Sequence, residues 1–355
     1  DPITTDIAKL ADYHIRLRPG TNVAVLNMML HFIVKSKLYK EDFILSRTEG
    51  FENFVKEIEK LDVDQLANVA GVDKQQVKEA AIAYATSRNS MEFHGLGVTE
   101  HEQGSKTVML IADLAMITGN IGRKGVGVNP LRGQNNVQGA ADMGCQPHQG
   151  AGYFPVADKK IQDFYTEKYG VVHPTKAGLK IPEIFDAAIN KEVKALWIIG
   201  EDVVQTDPNS AHVAKAMNAL DLLVVQEIFL SETAKHADVV LPGTTFLEKD
   251  GTFTNTERRV QRVNKAAEPL DGTKPDGVIV TEMMQKLGYN QPIYDADKVL
   301  AEIADVVPFF KGITRKRLGD LGLQWPVKED GTDTKILHEK EFKLGKGRIK
   351  YFDWK

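Results

Sequence analysis

The chain has 355 residues, 42% of them hydrophobic and 26% charged, and a formal net charge of −4. At about 150 residues per domain this length fits two or three domains, and the composition excludes wholesale disorder and a global basic field for nucleic acid. The single cysteine, Cys145, excludes an internal disulfide and a four-cysteine iron–sulfur or zinc set within these residues, and no apolar stretch approaches the ~20 residues of a membrane span.

In chain order, Asp1-Pro2 stands where a methionine would begin a gene product, which points to a piece of something longer, and no signal-peptide pattern follows. Thr21 or Asn22 is placed to cap a helix through Val23–Lys35, within which Met28–Val34 reads as buried. Phe51, Phe54, Val55 and Ile58 give Phe51–Leu61 one helical face, and Asp73 is placed to cap Lys74–Ser87, where Val77, Ala81, Tyr84 and Ala85 share a stripe. These helices are expected to form an insertion or surface layer. Met91–Val98 predicts a strand entering a glycine turn, and Ser105–Thr118 a helix ended by Gly119, together half of a βαβ unit. On that strand His94 has two open readings, a packed histidine or one with a direct role.

The next run, Asn129-Pro-Leu-Arg-Gly-Gln-Asn-Asn-Val-Gln-Gly139, sets one arginine among amides and glycines. Across Val126–Val156 only Arg132 and Asp142 are formally charged. Amides offer donors and acceptors, glycine lets backbone approach a ligand, and arginine matches a carboxylate bidentately. With Thr118-Gly-Asn-Ile-Gly122 before it and Gly139-Ala-Ala-Asp-Met-Gly144 after it, the run closely resembles the active-site segment of the catalytic subunits of molybdenum- or tungsten-dependent formate dehydrogenases, bis-pterin enzymes of the molybdopterin oxidoreductase family.

The resemblance covers essentially the whole chain. It implies that Arg132 lies beside the metal and orients formate, that Gln134 lies close to the cofactor, and that Gly95-Leu-Gly97 lies near one pterin. The implied cofactor is bis-molybdopterin guanine dinucleotide carrying molybdenum or tungsten. A 4Fe-4S cluster, the selenocysteine or cysteine metal ligand and a barrel-like pterin domain would belong to parts of the subunit outside these residues. Cys145 follows the motif and is not at the family's metal-ligand position, so no metal ligand is expected in this chain. Ile3 departs from the family, which often has arginine there, and removes the basis for a cofactor contact at that corner.

Residues 194–242 alternate strands and helices. Lys194–Ile199 reads as a buried strand and Leu222–Gln226 and Asp238–Leu241 as a second and a third strand, with Asp207-Pro208 opening a helix to Leu220 and a short helical turn at Thr233–His236. The alternation predicts an α/β fold with a doubly wound parallel sheet, as in the family's Rossmann-like domains for pterin dinucleotides. Ligands bind beyond the carboxyl ends of such strands. Those ends here are Gly200-Glu201-Asp202, Gln226-Glu227 and Pro242-Gly243-Thr244-Thr245, rich in acceptors that suit the N–H groups of guanine and a ribose diol. Each carboxylate also has the alternative of capping a neighbouring helix or pairing with a surface cation. Thr206 is placed either to donate to a phosphate or to begin a turn.

Leu247–Gln261 resembles another family signature, with Gly251 and Asn255 able to wrap a cofactor edge and Arg258 and Arg259 able to meet pyrophosphate or acidic groups; a hairpin with a solvated basic rim is the alternative. Helices are expected at Val278–Leu287 and Ala296–Val306, Thr314–Leu318 reads as a solvated helix face, and the tail through Phe352-Asp-Trp354 carries no chemistry. The division expected is a first α/β cofactor-binding domain over 1–134, a second with guanosine-binding strand ends over 135–246, and a cofactor-wrapping segment with helices over 247–355. No nicotinamide fingerprint or phosphate loop is present.

The reading that results is a formate dehydrogenase catalytic-subunit fragment that interconverts formate and carbon dioxide. It would work with iron–sulfur or other electron-transfer subunits and with the N- and C-terminal parts of its own subunit, without nucleic acid or a membrane span of its own. A cytoplasmic place is expected, or a periplasmic one if a twin-arginine signal precedes it. Another bis-pterin oxidoreductase acting on nitrate or a different oxyanion, and a non-catalytic scaffold or electron-transfer subunit, are the alternatives.

Overall fold

A computed structural model describes residues 1–355 as two compact units, Asp1–Gln134 with Lys335–Lys355, and Asn135–Thr334. In the first unit, helix α1 (Asn22–Lys35) carries buried Val23, Ala24, Val25, Met28, Leu30, Phe32, Ile33 and Val34. A helix apolar on all sides is a core helix, so the expected surface layer is corrected: α1 is the centre of this unit's core. Around it pack α2 (Phe51–Ile58), α3 (Val63–Ala70), α4 (Lys74–Thr86) and a later helix, Gly104–Ile117. Polar groups on α1 are drawn into this packing, with His31 Nδ1 donating to Ile58 O at 2.8 Å and Asn27 Nδ2 to Phe352 O at 3.0 Å.

Local signals set the helix ends. Asp62 accepts from the backbone N–H groups of Asp64 and Gln65, both at 3.0 Å, and Asp73 from Gln75 at 2.9 Å. Asp62→Ala is expected to cost about 1 kcal/mol in a denaturant titration of the chain.

Strand β1 (Met91–His94) pairs in parallel with β2 (Gly127–Pro130), and α5 (Gly104–Ile117) connects them, completing the βαβ unit. At Gly104 a Cβ would sit 2.1 Å from Thr99 O, so the entry to α5 requires glycine. The C-terminal residues return to this unit: Gly347–Arg348 pairs in parallel with Thr48–Glu49, Ile349 is buried, and Phe352 and Trp354 pack on the core.

Two of this unit's carboxyl groups, Asp113 and Glu92, are drawn away from solvent. Asp113 on α5 accepts from Lys350 N at 3.3 Å, and Glu92 on β1 accepts from the Tyr84 hydroxyl. Burial pushes Asp113 up to about 8 and Glu92 up to about 7, outweighing the hydrogen bonds that favour their charged forms. A raised carboxyl binds its proton more tightly in the folded chain, so its stabilisation is full below the ordinary carboxyl range and is lost as pH rises through the raised value. The chain is therefore expected to lose stability from about pH 4 to about pH 8, and the double variant Glu92→Gln/Asp113→Asn to flatten that slope in unfolding midpoints measured against pH.

In the second unit, β3 (Ala195–Ile199), β4 (Leu222–Glu227) and β5 (Val239–Pro242) form a parallel sheet in that order, with Ile199 beside Gln226 and Glu227 beside Pro242. Helices Ile181–Ile189 and Ser210–Ala219 cover one face, where Phe185, Ala188, Val213, Ala216 and Met217 meet Ile198, Leu223 and Val225. The chain is thus α/β, with parallel strands joined through helices in both units. The helix expected from Asp207-Pro208 begins later. Asn209 takes a left-handed φ of 63°, which breaks any helix between Pro208 and Ser210, and its side chain accepts from His212 N.

A second core gathers Tyr165, Val260, Leu300, Val306, Phe310 and Leu318 under an antiparallel hairpin of β6 (Gly251–Thr254) and β7 (Arg259–Val263). Helices Asp276–Lys286 and Ala296–Val306 follow. The basic run Thr314–Leu318 is exposed at Thr314, Lys316 and Arg317, as expected, but its two arginines are tied to the rest of the unit. Arg315 pairs with Asp250 at 2.7 Å and Asp297 at 3.3 Å, and Arg317 donates to Gly312 O and Glu329 O at 3.1 and 2.9 Å. Asp142, fully buried, accepts from Trp325 Nε1 at 2.9 Å, Gln138 Nε2 at 2.9 Å and the Tyr153 hydroxyl at 2.7 Å.

Candidate cofactor and substrate site

In the first unit the carboxyl ends of β1 and β2 are His94 and Pro130. Leu131 N donates to His94 O at 2.7 Å and so anchors the exposed loop Leu131–Gln134, which carries Arg132. Asn129, just before the loop, is pinned by its Nδ2 donating to Glu92 O at 3.2 Å and Gly127 O at 3.1 Å. His94 is buried, its Nδ1 has no partner, and burial pulls its pKa below the ordinary histidine value. Gly95 O accepts from Val98 N and Thr99 N and opens a single helical turn, Leu96–Thr99. A Cβ added at Gly97 or Gly133 would meet nothing within 4 Å, so the chain's own packing does not force glycine there. An arginine on an anchored loop at strand ends, flanked by open backbone, can receive a small carboxylate.

In the second unit the strand ends come together through backbone bonds. Gly200, at φ +65°, donates to Gln226 O at 2.9 Å, and Gly243 N donates to Glu227 O at 3.1 Å. Asp202 accepts from Thr233 N at 2.8 Å, Thr233 Oγ1 at 2.6 Å and Glu232 N at 3.3 Å. Against a burial that pushes it up, those bonds hold its carboxyl below the usual range. Of the two readings open for Asp202, these bonds make the cap of the turn Thr233–His236. Glu201 accepts from Thr206 Oγ1 at 2.7 Å, and Glu227 from Ile228 N at 2.7 Å, each keeping a second carboxylate oxygen. Pro242 O accepts from Lys274 N at 3.1 Å.

Gln226 is 1% exposed. Its Nε2 donates to Asp276 Oδ1 at 2.7 Å, while its Oε1 has no partner. Thr244 is 3% exposed with an unpartnered hydroxyl, and its carbonyl accepts from Lys249 Nζ at 3.1 Å. Lys249 also forms an ion pair with Asp276. A Cβ at Gly243 would stand 3.1 Å from Asp276 Oδ1, so this crossing favours glycine. The groups left over, an amide oxygen, a hydroxyl and free carboxylate oxygens, fit a guest that donates N–H and O–H, as a guanine base and a ribose do.

Gly251 and Asn255 lie in the hairpin. Asn255 Oδ1 accepts from Glu257 N at 3.1 Å and Arg259 N at 3.0 Å, which fixes the turn. Arg258 stacks on Trp325 at 5.4 Å and donates to Trp325 O and Thr334 O, and Arg259 pairs with Glu257 at 2.8 Å. The segment is thus a hairpin, but its arginines face its own chain and not a solvated rim. Sequence reasoning did not single out Lys249 or Asp276, which hold Gln226. No group of three or more His, Cys, Asp or Glu side chains is set to hold a metal, and Cys145 is exposed and free. No helix is long and apolar enough to cross a membrane.

The family model for molybdopterin oxidoreductases matches residues 1–286. The chain is 44% identical to the F420-dependent formate dehydrogenase subunit alpha of Methanocaldococcus jannaschii, over 99% of this chain and 52% of that protein. It is 38% identical to formate dehydrogenase H of Escherichia coli, over 100% of this chain and 50% of that protein. Among solved structures, acetylene hydratase from Pelobacter acetylenicus shares the fold, with a TM-score of 0.68 at 21% identity, over 89% of this chain and 46% of that one. The chain spans about half the length of the curated relatives it matches.

Proposed function

Since the chain belongs to the molybdopterin oxidoreductase family, we propose that it is the central part of a formate dehydrogenase catalytic subunit, interconverting formate and carbon dioxide at a bis-molybdopterin guanine dinucleotide centre of molybdenum or tungsten. The observation that carries the substrate is Arg132, presented at the strand ends of the first unit within the run Asn129–Gly139. The relatives' names support the same substrate.

Oxidation releases two electrons and one proton per formate, HCOO⁻ → CO2 + H⁺ + 2 e⁻, and the bound metal supplies the two-electron chemistry. This chain's part is binding and electrostatics. Arg132 holds the formate carboxylate with its paired N–H groups and attracts neutral carbon dioxide far less, which favours release after oxidation. Gln134 supports substrate or pterin, and Gly95 and Gly97 leave backbone open beside a pterin. Gly200, Glu201, Gln226, Glu227, Pro242, Gly243 and Thr244 form the guanosine end, with Asp202 and Thr206 holding its loop through Thr233 and Glu201, and Gly251 and Asn255 line the cofactor's edge. A 4Fe-4S cluster in another part of the subunit and an electron-transfer partner carry the electrons away. A cytoplasmic place belongs to the same proposal.

The test is formate-dependent reduction of a viologen dye, with F420 assayed beside it, by the anaerobically purified complex containing this chain. Reduction is the expected result. Its absence in material that retains metal and pterin would overturn the substrate and leave another bis-pterin oxidoreductase.

A further inference from the structure

Gln226, at the end of the central strand β4, has one polar atom spoken for and one not. Its amide could in principle lie either way round, offering a ligand its oxygen or its NH2. The neighbour decides. Asp276 Oδ1 lies 2.7 Å from the amide nitrogen, and an ionised carboxylate only accepts, so the NH2 must face it. Asp276 is in turn held by Lys249, which also donates to Thr244 O at 3.1 Å. The lysine thus ties the acid to the segment after β5, where the unpartnered Thr244 hydroxyl lies.

We infer that the Lys249–Asp276 pair is a positioning device that fixes Gln226 as a hydrogen-bond acceptor and thereby makes this end of the sheet discriminate for a purine whose ring edge donates. Guanine and hypoxanthine carry a ring N–H where adenine carries a lone pair. An amide oxygen that cannot turn away accepts from the first kind and repels the second. The buried Oε1 with no partner is the acceptor such a ring would satisfy. The inference rests on the guanosine reading of these strand ends and adds the residues that enforce it, neither of which touches the base.

The experiment uses the full-length protein containing this chain, purified free of cofactor, and measures the affinities of GDP, IDP and ADP by titration calorimetry. The wild type is expected to prefer GDP and IDP to ADP. In Asp276→Asn the new amide can donate as well as accept, so Gln226 can turn and offer its NH2 to adenine. The GDP-to-ADP preference is then expected to fall about tenfold or more, mainly through tighter ADP binding, because a fixed acceptor facing a lone pair is what excluded it. Asp276→Ser, with a hydroxyl that both donates and accepts and suits a helix start, is expected to behave alike if the asparagine variant does not fold. A wild-type preference that survives unchanged, or equal weakening of all three nucleotides, would overturn the positioning role while leaving the guanosine reading intact. A wild type without preference would overturn the guanosine reading and the inference with it.

Discussion

Arg132→Lys is expected to lower kcat/KM for formate by about a hundredfold or more in the complete enzyme while metal and pterin content stay at the wild-type level. Lysine keeps the charge, so long-range attraction of an anion survives. On the proposed role, what it would lose is the planar pair of N–H groups that can grip both carboxylate oxygens and set the C–H bond's direction, and misorientation at a reacting centre costs rate out of proportion to the binding lost. The loop is anchored independently, by Leu131 N on His94 O and by Asn129 on Glu92 O and Gly127 O, so the substitution leaves its base in place. Steady-state kinetics with parallel metal and pterin analysis decide the matter. Equal loss of activity and cofactor would make Arg132 a structural residue.

Asp142→Ala is expected to destabilise the second unit by about 3–5 kcal/mol, read from the denaturant midpoint of the chain. Asp142 is fully buried and receives the Trp325 indole N–H, the Gln138 amide and the Tyr153 hydroxyl. Alanine takes this acceptor from the Trp325 indole N–H and the Tyr153 hydroxyl, while Gln138 Nε2 keeps the Tyr153 oxygen at 2.8 Å, and each group left short carries its desolvation cost. Arg258 is a nearby cation whose charge Asp142 helps to hold. Asp142→Asn keeps the shape but exchanges an acceptor for a donor, and it is expected to recover only part of the loss. A change below about 1 kcal/mol for alanine would mean that these donors find other partners.

Elements with strong local signals are legible in the amino-acid order itself. Val23–Lys35 is nearly continuous in apolar residues, and Ala296–Val306 is bounded by Asp295, which caps it by accepting from Asp297 and Lys298, and by Val307-Pro308. The strand ends of the second unit are legible as well, because glycines and acids follow apolar runs. What stays hidden depends on distant partners. Asp207-Pro208 has the composition of a helix start, and only the left-handed Asn209 displaces it. Arg315 and Arg317 look like solvated cations until Asp250, Asp297 and the carbonyls of Gly312 and Glu329 are brought to them. Asp276 reaches Gln226 across 50 residues, a separation that no helical or strand period records.

The last residues of the chain return to the first unit, with Gly347 beside Thr48, Lys350 N on Asp113, and the carbonyls of Phe352 and Trp354 receiving Asn27 and Gln103. During synthesis this has a consequence for order. The stretch Asn135–Thr334 is made before Lys335–Lys355, so the first unit is still without its closing strand when every residue of the second has been added. Until Ile349, Phe352 and Trp354 have emerged, the apolar floor they cover stays open to solvent, and a nascent chain paused before them would expose it to chaperones and to its neighbours.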